Sequence, residues 1–220
     1  MQRRLPGKTG RPSDTDNRRH EKTMATITAE TVKLLRDQTG AGVMECKRAL
    51  EEADGDIEKA AAVLRERGQA AAAKRAGREA NQGQVASYIH PGGKIGVLIE
   101  VNCETDFVAR TDEFQRLVRD LAIQVAGLRP QYTTIESIPA DAVEAKRAEL
   151  MADEVTLGKP EAVRGQIIEG QLKKWFAEVV LVEQTFRDQD RTVGALITEA
   201  IAKTGENMRV RRFVRYELGE

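Results

Sequence analysis

Residues 102–110 read Asn-Cys-Glu-Thr-Asp-Phe-Val-Ala-Arg and set an aromatic ring, Phe107, directly after a hydroxyl, Thr105, and a carboxylate, Asp106. They fall where a run of branched apolar residues gives out and a helical pattern begins. A Phe at such a corner sits on a rigid base and can project outward as a contact element, which makes this junction the chain's best candidate for a functional point. The same residues have a purely structural reading. The oxygen of Thr105 or Asp106 can cap a helix by accepting an orphan backbone N–H, with Phe107 turned into the core, where most Phe residues lie. The residues themselves leave both readings open.

The elements that must hold this corner can be read on either side of it. Residues 94–102 are rich in branched apolar side chains and predict a largely buried strand. A preceding strand, residues 84–90, joins it through Pro91-Gly92-Gly93 as a hairpin. Asp112 and Glu113 then open an amphipathic helix through Gly127, with Phe114, Leu117, Leu121 and Val125 on one stripe.

Upstream, three short helices are predicted within residues 24–68, separated by the glycines of Thr39-Gly-Ala-Gly42 and by Asp54-Gly55, with the third ending before Gly68. Residues 69–82 form a helical or flexible connector, and residues 83–220 an α+β core. Within that core, residues 141–155, 160–182 and 193–202 read as helices. Trp175 and Phe176 read as core side chains. The C-terminal stretch, residues 207–218, mostly alternates and predicts a third strand with Met208, Val210, Val214, Tyr216 and Leu218 on one face. Residues 1–23 are polar with almost nothing to bury and are expected to be a disordered tail. Met24 directly precedes the first patterned residues, so that tail reads as an appendage or as an upstream start.

Thirty-five basic residues balance thirty-five acidic ones in the 220-residue chain, which argues against nucleic acid as its main ligand. Charged residues make up 32%, above the roughly 25% of an average domain, as long solvated helical faces require. No apolar run approaches the roughly 18 residues of a membrane span, so no membrane partner and a cytoplasmic location are expected. Cys46 and Cys103 are far apart, with no Cys-x-x-Cys pair and only His20 and His90 to help, so neither a zinc site nor a cofactor is expected and each thiol reads as a small buried hydrophobe. Phosphate-loop, dinucleotide, nucleophile-elbow and zincin motifs are all missing. The turn at Thr39-Gly-Ala-Gly42 is too short for a phosphate cradle and has no lysine in it. An enzyme with covalent chemistry of its own is not expected.

Four segments together resemble the elongation factor Ts family. They are Leu35-Arg-Asp-Gln-Thr-Gly-Ala-Gly-Val-Met-Glu-Cys-Lys-Arg-Ala-Leu50, Glu100-Val-Asn-Cys-Glu-Thr-Asp-Phe-Val-Ala-Arg110, Glu169-Gly-Gln-Leu-Lys-Lys174 and Gly205-Glu-Asn-Met-Arg-Val-Arg-Arg-Phe213. The resemblance implies guanine-nucleotide exchange on the translational GTPase elongation factor Tu. It implies a ubiquitin-associated-like three-helix domain, a connector, and a core with an antiparallel three-stranded sheet and packed helices. The chain is similar to the short form of the family, with one sheet-bearing module in place of a duplicated core and an inserted helical hairpin, and a homodimer paired through its sheets is implied. By the same resemblance Thr105, Asp106, Phe107 and Val108 enter the partner and displace its magnesium. Arg36, Val43 and Met44 lie at positions that dock the bundle on the GTPase domain, although many members have Met where this chain has Val43. Two other functions fit parts of the chain: a peptide- or ubiquitin-like adaptor built on the bundle, and an RNA-binding face made of Arg209, Arg211, Arg212 and Arg215.

Overall fold

The computed structural model describes residues 27–187 and 191–220; the expected N-terminal tail, residues 1–23, lies outside them. Helix α1 (Ala29–Thr39) starts where the Thr28 hydroxyl accepts the Thr31 N–H at 3.2 Å and the Thr28 N–H donates back to Thr31 Oγ1 at 3.0 Å, a reciprocal cap. Gly40 ends it in the left-handed conformation at φ 68°. Helices α2 (Val43–Glu52) and α3 (Ile57–Arg75) complete a bundle whose interior is Leu35, Cys46, Ala49, Leu50, Ala60 and Leu64. Asp56 caps α3 by accepting the Lys59 N–H at 3.0 Å.

The third helix does not end at Gly68 but runs on to Arg75. One glycine inside a helix costs only about 1 kcal/mol, and the alanines that follow favour continuation. A hairpin follows, β1 (Gln82–Ile89) and β2 (Ile95–Cys103), turning through Pro91-Gly92-Gly93 with both glycines at positive φ. The short helix α4 (Asp106–Ala109) and the long helix α5 (Asp112–Leu128) come next. Then come α6 (Ala140–Ala152), α7 (Glu154–Leu157) and α8 (Glu161–Val179), and finally α9 (Val193–Thr204) and β3 (Met208–Glu217).

The protein is therefore α+β. The sheet is antiparallel throughout, in the order β1-β2-β3, with β2 central. Val97, Ile99, Val101 and Cys103, alternate residues of β2, point to one face and meet Phe114, Leu117, Leu121 and Val125 of α5. Helix α9 joins this core through Val193, Ile197, Ala200 and Ile201. It also packs on α3, where Gly68 lies opposite Ala202.

The helices expected at residues 141–155 and 160–182 are present: α6 and α8 pack together around Leu150, Ile168 and Leu172, with Trp175 and Phe176 against them. One expectation about the sheet is corrected. The third strand does not keep one apolar face along its length. A bulge sets Glu100 opposite Arg212 but Val101 opposite Val210, so Arg211 is the extra residue. Beyond it the alternation inverts: Phe213 packs inward, while Val214, Tyr216 and Leu218 are exposed. Among the described residues no helix is long and apolar enough to cross a membrane.

Candidate functional site

The corner after β2 is built by two successive threonine caps. Thr105 is extended (φ −126°, ψ 156°), and its Oγ1 accepts the Val108 N–H at 3.4 Å to open α4. Thr111 Oγ1 donates to the Val108 carbonyl at 2.8 Å and accepts the Phe114 N–H at 3.3 Å, which opens α5. Between the caps, Val108 packs against the sheet core, and the Asp106 carboxylate accepts a hydrogen bond from Arg110 at 2.8 Å. Phe107 points the other way and is 79% exposed. Capping and projection are thus not alternatives: Thr105 caps, and the helix it starts aims the ring outward.

Beneath the corner, the Cys103 thiol is fully buried and donates to the Thr105 carbonyl at 3.1 Å. Burial, helped by the nearby Glu206 carboxylate, pushes the Cys103 thiol up to about 11, so it stays protonated at neutral pH. Glu206, in the turn between α9 and β3, holds Thr105 with both oxygens: Oε2 accepts its N–H at 3.0 Å and Oε1 its hydroxyl at 2.6 Å. In the opposite sense, Glu104 Oε1 accepts the Asn207 N–H at 2.6 Å. Reading the chain left these two carboxylates without a role. Their signal was a Glu directly before the capping Thr and another directly after the helix-ending Gly205.

The other predicted contact residues lie on the bundle. Val43 and Met44 begin α2, and Met44 is 63% exposed. Arg36 is exposed near the end of α1 and lines a groove with Val32, Lys33, Val43 and Lys47. The two sets of residues therefore stand on different elements, one on α1 and α2 and the other on α4.

Arg211, Arg212 and Arg215 of β3 are engaged with carboxylates. Arg211 and Arg212 flank Glu100 at 3.6 and 2.7 Å, because the bulge presents both to it. Burial pushes the Glu100 carboxyl up, but the hydrogen bonds from Arg212 and Asn102 and the two arginine charges outweigh it and hold the group below its usual range. Arg215 is largely covered and pairs with Glu217 and Glu220. Among the described residues no group of three or more His, Cys, Asp or Glu side chains could hold a metal ion.

The fold and the corner define an α+β protein in which a small helical bundle continues, through one unbroken helix, onto a sheet core that presents an exposed aromatic side chain. The family model for elongation factor Ts matches residues 15–220, and the chain belongs to that family. It is 56% identical over 195 residues to elongation factor Ts of Carboxydothermus hydrogenoformans, covering 88% of this chain and 90% of that one. It is 56% identical to that of Moorella thermoacetica (88% and 96% covered) and 54% identical to that of Heliobacterium modesticaldum (88% and 91%).

Proposed function

We propose that this protein is a guanine-nucleotide exchange factor that binds elongation factor Tu in its GDP form, loosens the magnesium and phosphate site and releases GDP so that GTP can bind. Family membership supports the role, and the exposed Phe107 ring carries the mechanism. A large apolar side chain left in water on a doubly capped turn is available to insert into a partner. In this reading Thr105, Asp106, Phe107 and Val108 enter the GTPase beside its magnesium. That ion requires a near-octahedral oxygen shell and bridges protein to diphosphate, so a disturbed shell weakens GDP binding. Coupling is reciprocal, so GDP weakens binding of the factor to the same degree, and exchange passes through a nucleotide-free binary complex. The factor makes and breaks no covalent bond, uses no cofactor of its own and works in the cytoplasm, where translation elongates.

The bundle, residues 24–68, acts as a ubiquitin-associated-like docking domain through Arg36, Val43 and Met44. Residues 69–82 connect it to the exchange core, residues 83–220. A homodimer is part of the proposal and is supported by the uncovered sheet face, where Val85, Ile89, Leu98, Val214 and Tyr216 are all exposed. The direct test is release of labelled GDP from elongation factor Tu, with and without this protein. Acceleration that saturates with factor concentration is expected, and a release rate unchanged at any concentration would refute the proposal.

A further inference from the structure

The segment Gly205-Glu-Asn-Met208 contributes nothing to exchange in the reading above beyond starting β3. Its contacts point to more. Glu206 grips both the N–H and the hydroxyl of Thr105, while Glu104, the residue before Thr105, grips the N–H of Asn207. The two carboxylates cross, each rising from one segment to hold the other. Asn207 is only 5% exposed, and its side-chain NH2 donates to the Arg78 carbonyl at 2.8 Å and to the Ala76 carbonyl at 3.4 Å. Those carbonyls lie just past α3, the third helix of the bundle. Arg78 in turn places its guanidinium 3.5 Å from Glu104.

Three distant stretches of chain therefore meet at one polar junction: the end of α3, the corner carrying Phe107 and the turn before β3. We infer that Glu206, anchored through Asn207, is a positioning residue that fixes the direction of the Phe107 ring relative to the bundle. The inference rests on the reading of Phe107 as the inserted side chain. The physical reason lies in α4, which has a single turn and cannot hold its own axis; helices this short are marginal without outside support. The hydroxyl of Thr105 is satisfied twice, donating to Glu206 and accepting from Val108, so the carboxylate also orients the cap. Without Glu206 the Thr105 N–H loses its partner, and the first turn is free to tilt about the end of β2.

The test uses the full-length protein and four variants. Glu206→Ala should lower the saturating rate of GDP release from elongation factor Tu about tenfold, while the half-saturating concentration stays within about twofold, because the docking residues are untouched. Glu206→Gln should recover most of the rate, since its amide oxygen can accept the Thr105 N–H while its NH2 donates to the hydroxyl. In a double-mutant cycle, Glu206→Ala should add nothing to Phe107→Ala, and fully additive losses would overturn the positioning role. An independent arm needs no partner: amide hydrogen exchange in the free protein. Glu206→Ala should speed exchange of the Thr105 N–H about tenfold and leave that of Leu121 in α5 unchanged. Unchanged protection at Thr105 overturns the inference whatever the release assay reads. Wild-type release by Phe107→Ala would instead refute the insertion reading, so the two failures are distinguishable.

Discussion

Removing the Phe107 ring takes away a side chain that touches mainly water, so Phe107→Ala should change unfolding free energy by no more than about 0.5 kcal/mol. A core Phe would cost about 3 to 5 kcal/mol. Unfolding curves and GDP-release rates on the same sample should show intact stability and slowed release. Asp106→Asn removes an exposed pair with Arg110 and a negative charge from a helix start, a loss of about 1 kcal/mol or less; any larger effect should appear in release rather than in folding. Cys103 titrates on the alkaline side. Burial in the folded protein raises its pKa from 9.0 to about 11, so its contribution to stability is present below pH 9 and is lost as pH rises toward 11. Denaturant midpoints measured across that range should fall more in the wild type than in Cys103→Ala. At this scale the chain could be read up to a point: Thr105 as a cap and Phe107 as a projection were both legible, but not that they coexist, because that depends on Val108 finding the core from a four-residue helix.

The elements were legible wherever a periodic stripe met a single neighbour. Helix α5 is the clearest case, since its Phe114, Leu117, Leu121 and Val125 all face one sheet. Legibility failed where one residue altered the count. Alternation along β3 reads as a single face only if pairing is uninterrupted, and the extra Arg211 sends Tyr216 to the side opposite Met208. Gly68 misled for a plainer reason: a glycine inside a helix looks, in sequence, like one that ends it. Gly83 gives the sharpest element-scale prediction. It sits at φ 138°, and an added Cβ would come within 2.1 Å of the Val101 carbonyl oxygen and 2.7 Å of the Asn102 Cα. Both obstacles are backbone of the central strand and cannot rotate away. Gly83→Ala should therefore destabilise the protein by more than about 2 kcal/mol in chemical denaturation, with the loss centred on the β1–β2 pairing.

The whole molecule couples two surfaces through one helix: the bundle's exposed Arg36, Val43 and Met44, and the corner on the sheet core, with α3 packed on α9 between them. Its uncovered sheet face makes a separate prediction. Light scattering at micromolar concentration should read twice the monomer mass, and Leu98→Lys, at an exposed central position of that face, should return the monomer without altering the circular dichroism. The role of the bundle is best tested without cutting it away, because truncation at residue 68 would sever α3 and strip the side of α9 that Gly68 faces. Arg36→Ala combined with Met44→Ala leaves the bundle core of Leu35, Cys46 and Leu50 in place. If docking serves to raise the effective concentration of the corner at the nucleotide site, this double variant should need at least about tenfold more protein for half-maximal GDP release. It should still reach nearly the wild-type rate at saturation, because the Thr105–Val108 corner and its Glu206 clamp are intact. A fall in the plateau with the half-saturating concentration unchanged would show instead that the bundle takes part in loosening the nucleotide and does not merely hold the partner in place.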